Sequence, residues 1–131
     1  MERLKEEGYR VDLRLVEKVP NDVAVELYKE ADIVAEQFLI GWHGFLAIEA
    51  MALGKPVICF VRKKGYLLSP DECPIVSADP DMLADAIRDL IKDPGKRRKL
   101  GEMGRKYVEK HYSLEAFAHR LKEVYERHGI L

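Results

Sequence analysis

Gly41-Trp-His-Gly-Phe-Leu-Ala-Ile-Glu-Ala-Met-Ala-Leu-Gly-Lys-Pro-Val57 is the stretch on which the reading of this chain turns. It follows a hydrophobic run at 33–38, read as a strand, and precedes Val57-Ile-Cys-Phe-Val61, a continuous apolar strand of the kind buried on both faces. Between them, a loop through Gly41 and Gly44 leads into a helix over 45–53, which Gly54 ends. A strand, a glycine-containing loop and a helix make a general phosphate-binding arrangement. The first turn of the helix has unpaired N–H groups and partial positive charge, and a glycine lets a ligand approach the backbone. Glu49 lies one turn into that helix, and its two acceptor oxygens suit a pair of vicinal sugar hydroxyls. The bland alternative for Glu49 is a solvated helix residue.

Outward from this stretch, helix and strand patterns alternate. Residues 2–7 read as the end of a helix, stopped by Gly8, and Val11, Leu13 and Leu15 alternate with Asp12 and Arg14 as a half-exposed strand over 11–16. Asn21 is placed as the N-cap of a helix through Lys29, with Val23, Leu27 and Tyr28 on one face. Residues 74–77 make a weaker fourth strand. Three helices then follow without a strand between them. Pro80 opens the first, whose inner face is Leu83, Ile87, Leu90 and Ile91. The second, about 96–110, turns Leu100, Met103, Tyr107 and Val108 inward. The third is capped by Ser113 and lined by Phe117, Leu121, Val124 and Tyr125. The fold class is therefore α/β: a parallel sheet of about four strands with β/α crossovers, completed by a run of three helices.

Composition bounds the function. The chain has 131 residues, which suits one domain, and 47% hydrophobic residues, which excludes a disordered chain. With 22 basic and 23 acidic residues the net charge is −1, so no global field favours nucleic acid or an anionic membrane. The basic run Lys96–Lys99 reads as a solvated helix face. Two cysteines give neither a disulfide framework nor a zinc site, and no metal or cofactor is expected. Cys59, in an apolar strand, reads as core. Charged residues among 2–7 leave no signal-peptide core, so a cytoplasmic location is expected. His43 invites reading as a base, but a loop histidine is more often a polar contact. Trp42 reads as packing on a neighbouring loop or domain.

Glu49-Ala-Met-Ala-Leu-Gly-Lys-Pro-Val57 resembles the Glu-Ala-Met-Ala-x-Gly-x-Pro-Val signature of GT4-type glycosyltransferases. Tyr28-Lys-Glu-Ala-Asp32 upstream, Arg98-Lys-Leu-Gly-Glu-Met-Gly-Arg105 and the helix from Ser113 downstream extend the resemblance over nearly the whole chain. It implies a Rossmann-like, three-layer GT-B fold, with residues 1–131 as part of the C-terminal, donor-binding domain and an N-terminal domain as partner. It also implies transfer of a sugar from a nucleotide diphosphate sugar, with retention and without a bound metal. On that pattern Glu49 would hold the ribose hydroxyls and the backbone of Gly44, Phe45 and Leu46 would cap the diphosphate. The loop around Gly41 and His43 would face the donor sugar.

Three departures stand beside this. Gly41 occupies the position of a usual glutamate, for which Glu36 or Gln37 are the candidate replacements. Arg62-Lys-Lys-Gly-Tyr66 replaces a Gly-Gly-x-x-Glu loop, and the family's Gly-Arg…Lys-Gly element belongs before residue 1. Arg62, Lys63 or Lys64 are candidates for the missing cations. Two other readings remain at this point: a non-catalytic Rossmann-like domain or fragment that folds or assembles without donor, and another GT-B enzyme such as a nucleotide-sugar epimerase. The family's sheet order also places two further strands between 11–16 and 33–38. Without them, 11–16 is expected to pair directly with 33–38 in the same chain, with homodimer formation at high concentration through apolar faces left uncovered.

Overall fold

In the computed structural model, which describes residues 1–130, a small parallel sheet is sandwiched between two layers of helices. The elements are α1 (Glu2–Glu6), α2 (Asn21–Glu30), β1 (Val34–Ala35), α3 (Phe45–Ala52), β2 (Val57–Cys59), β3 (Val76–Ser77), α4 (Leu83–Lys92), α5 (Pro94–His111) and α6 (Leu114–Arg127), with a 3-10 turn at Lys64–Tyr66. The sheet order is β1-β2-β3, all parallel, with Val34 opposite Val57 and Ile58 opposite Val76.

The central strand shows why the layers form. Its three residues are all buried, as a continuous apolar run requires. Val57 and Cys59 join a core with Ala47, Ala50 and Met51 of α3 and Tyr107 and Val108 of α5. Ile58 points the other way, into a second core with Leu4 of α1 and Ile87 and Leu90 of α4. The alternation of side chains along a strand thus feeds two cores from one short element. Burial pushes the Cys59 thiol up to about 12, so it stays a neutral core side chain.

Glycines set the closest helix contact. Gly54 ends α3 in the left-handed region, φ 73°. A Cβ on Gly101 of α5 would sit 2.0 Å from the Gly54 carbonyl oxygen, and one on Gly104 would sit 3.0 Å from Met51 Cγ. Small residues on α5 therefore let it lie against the end of α3. The Tyr107 hydroxyl, at the same interface, donates to the Leu68 carbonyl at 2.6 Å.

Several expectations are corrected. Residues 11–16 form no strand, and the sheet has three strands rather than four. β1 is an edge strand that pairs with β2 on one side only, and residues 11–16 are tied down by side chains rather than by a ladder along its other edge. Tyr9 and Val11 pack on the Leu4 core, and Arg14 pairs with Glu30 at 2.6 Å, while Leu13 and Leu15 stay exposed. Asn21 is the first helical residue of α2, and Pro20 is its cap position. Pro80 lies ahead of α4, where Asp79 Oδ1 accepts from the Met82 N–H at 2.9 Å. Met103 is exposed, because the face that turns inward on α5 is the glycine pair. Ser113 does cap α6, accepting from the Ala116 N–H, but Phe117, Leu121, Val124 and Tyr125 are all exposed. Among the described residues no helix is long and apolar enough to cross a membrane.

Candidate active-site loop at the end of the sheet

The loop between β1 and α3 lies at the carboxyl end of the parallel strands, where open α/β sheets place their ligands. Gly41 has φ 85°, a left-handed conformation that a side chain would strain. Its carbonyl accepts from the Arg62 N–H at 2.9 Å, which joins the loop to the chain leaving β2. A Cβ at Gly41 would also meet the Arg62 side chain, 2.9 Å from its Cβ and 3.2 Å from its Nε. The Arg62 side chain therefore lies against Gly41, where any larger side chain would meet it.

Gly44 is the cap position of α3 and has no side chain to receive the helix's first N–H groups. Glu36 supplies the missing anion. Both of its carboxylate oxygens accept from the Gly44 N–H, each at 2.9 Å. A Cβ on Gly44 would sit 2.5 Å from Glu36 Oε1, so the glycine is what admits this carboxylate. The sequence shows Glu36 as a candidate but not its partner, because the contact joins a strand end to a helix start eight residues on. Gln37 is engaged elsewhere: its Oε1 accepts from the Ile40 N–H at 2.8 Å and its Nε2 donates to the Phe60 carbonyl.

Glu49 stands half-buried on α3 and makes no hydrogen bond or ion pair with another described side chain. The Tyr28 phenol is raised by its burial first, then by the negative charges of Glu49 and Glu36.

The other sequence candidates separate. His43 is buried, stacked on Trp42 with ring centroids 5.3 Å apart. Its Nδ1 lies 3.4 Å from the Gly44 carbonyl and its Nε2 lies 3.4 Å from the Tyr112 hydroxyl. The imidazole is therefore turned into the fold, against α5's end. Trp42 packs half-buried against the core. Phe45 is 83% exposed, so its ring stands free at the first turn of α3, whereas Leu46 is half-buried against the core. Among the described residues, no three or more His, Cys, Asp or Glu side chains converge as a metal site would require.

The family described as Glycosyl transferases group 1 matches residues 1–107, most of the chain. The chain belongs to the glycosyl transferases group 1 family. The loop, α3 and β2 all fall within the group 1 match, as do α4 and most of α5. Among curated group 1 relatives, a D-inositol 3-phosphate glycosyltransferase from Corynebacterium urealyticum is 31% identical over 95% of this chain and 30% of its own length. An alpha-1,3/1,6-mannosyltransferase from Rhizomucor pusillus is 34% identical over 63% of this chain and 16% of its own length. In three dimensions the chain is similar to sucrose-phosphate synthase from Thermosynechococcus elongatus, with a TM-score of 0.66 and 27% identity. That likeness covers 86% of this chain and 29% of the synthase. The fold is thus that of a GT-B glycosyltransferase, and the chain spans less than a third of the length of these relatives.

Proposed function

We propose that this chain is the donor-binding part of a GT4-type glycosyltransferase, taking a nucleotide diphosphate sugar at the loop between β1 and α3. The reading is carried by Glu49, a half-buried carboxylate without a hydrogen-bond or ion-pair partner among the described residues, one turn into a helix that starts at the carboxyl end of a parallel sheet. Vicinal ribose hydroxyls are suitable donors to such a group. The first N–H groups of α3 then face the diphosphate, whose charge the helix dipole favours. Exposed Phe45 stands beside that turn and gives the donor an apolar surface. The resemblance at Glu49–Val57 supports transfer with retention.

On this reading the chain supplies the donor side of the reaction, and the acceptor is held by sequence outside it. Positioning of the second reactant is a large part of catalysis in a two-substrate transfer. Titration calorimetry with UDP, GDP and ADP tests the proposal. At least one is expected to bind, and Glu49→Ala is expected to weaken it about ten- to a hundred-fold, the worth of hydrogen bonds to a charged group. The same preparation, given the matching nucleotide sugar and a simple alcohol, is expected to transfer no sugar. Equal affinity in the wild type and Glu49→Ala removes Glu49 from the site. Failure of all three nucleotides, or efficient transfer by the 131-residue chain, overturns the proposal.

A further inference from the structure

Glu36, at the end of β1, and Arg62, on the chain leaving β2, flank the Gly41 loop with opposite charges, yet the two are not paired. Glu36 puts both carboxylate oxygens on one amide, the Gly44 N–H, and makes no ion pair with a described cation. Arg62 lies exposed across Gly41 and pairs with no described carboxylate. A permanent helix cap is usually the short side chain of the cap residue itself. Here the cap residue is a glycine, and the anion comes from a flexible side chain at the end of β1, eight residues away. Glu36 is only half-buried, so its carboxylate can rotate out to water without crossing the core.

We propose that Glu36 is an internal placeholder: its carboxylate occupies the Gly44 amide when no ligand is present, and an incoming diphosphate must displace it. Arg62, on the chain leaving β2 and without a partner among the described residues, draws the diphosphate in as Glu36 leaves. Glu36 is then a specificity-determining residue, because it sets a threshold that only a ligand with more negative charge than one carboxylate passes. The inference rests on the reading of this loop as the diphosphate-facing part of the site, and it adds to that reading a competitor built into the chain. No covalent step is involved; one anion replaces another on one N–H group, and the displaced carboxylate is rehydrated.

The test uses the whole chain and two probes, inorganic pyrophosphate and the nucleoside diphosphates UDP, GDP and ADP. Glu36→Gln keeps the shape and removes the charge, and Glu36→Ala removes the competitor; circular dichroism checks that each folds. Both variants are expected to bind pyrophosphate about tenfold more tightly than the wild type, because the charge-assisted contact no longer has to be broken. The Gly44 amide resonance is expected to move on addition of pyrophosphate to the wild type, and to stand already displaced in free Glu36→Gln. Equal or weaker binding by Glu36→Gln overturns the placeholder, as does a Gly44 resonance insensitive to pyrophosphate. If Glu36→Gln gains affinity for pyrophosphate while no nucleotide binds any of the proteins, the placeholder stands and the nucleotide-sugar reading falls. If neither probe binds any of them, both fall.

Discussion

Helices α5 and α6 follow each other in the chain and both carry an amphipathic pattern, but their fates differ. α5 is drawn against α3 until Gly101 lies against the Gly54 carbonyl and Tyr107 is 2% exposed. α6 keeps Leu114, Phe117, Leu121, Val124 and Tyr125 exposed along its length. The sequence period of both is helical, yet only α5 meets a surface cut to fit it. A periodic apolar face states that a helix has an inside; it does not state that the inside is filled by the same chain.

The largest expected effect is at the tightest contact. Gly101→Ala would place a Cβ 2.0 Å from a backbone oxygen, which no side-chain rotation relieves. A loss of about 3 kcal/mol or more in urea unfolding is expected, at the upper end of overpacking costs. A change below about 1 kcal/mol would show that α5 sits less closely on α3 than the geometry states. Next, Tyr107→Phe removes the donor to the Leu68 carbonyl while leaving the ring. It should cost about 1–3 kcal/mol, the range for stranding a buried polar partner, and the same unfolding experiment reads it. The smallest effect belongs to α6. Leu121→Ser is expected to change stability by less than about 0.5 kcal/mol, as an exposed substitution does. A loss of 2 kcal/mol or more, or one that grows with protein concentration, would break the comparison and show that this face is covered in solution.

The same comparison explains what the sequence shows of the fold. The β/α alternation and the helices from 83 onward follow from periods of 3.6 residues, which are local. The buried strand at Val57–Cys59 is likewise local, a run of apolar residues without punctuation. The segment at 11–16 misleads because alternation is only half of a strand. The other half is a neighbour to pair with, and among the described residues β1 pairs with β2 alone. Met103 misleads because helical period ranks residues by hydrophobicity, while α5 seats itself by size, at Gly101 and Gly104. In the site, the Glu49 segment is legible from its motif and its place one turn into α3. The partnership of Glu36 with Gly44 is not. It depends on how the loop folds back, and no periodicity joins a strand end to a helix cap.

The central strand has a consequence for how the molecule opens. Val57 and Cys59 serve one core and Ile58 the other, so three consecutive residues are divided between the two. Neither layer can separate from the sheet without disturbing atoms bonded directly to the other layer's anchor. Local fluctuations are therefore cheap at the periphery, in α6 and in the stretch before α2, and expensive at β2. Proton exchange with solvent at the Cys59 amide reports the opening of both cores in a single event, and a strand of three residues is the element that makes the two halves of the fold cooperate.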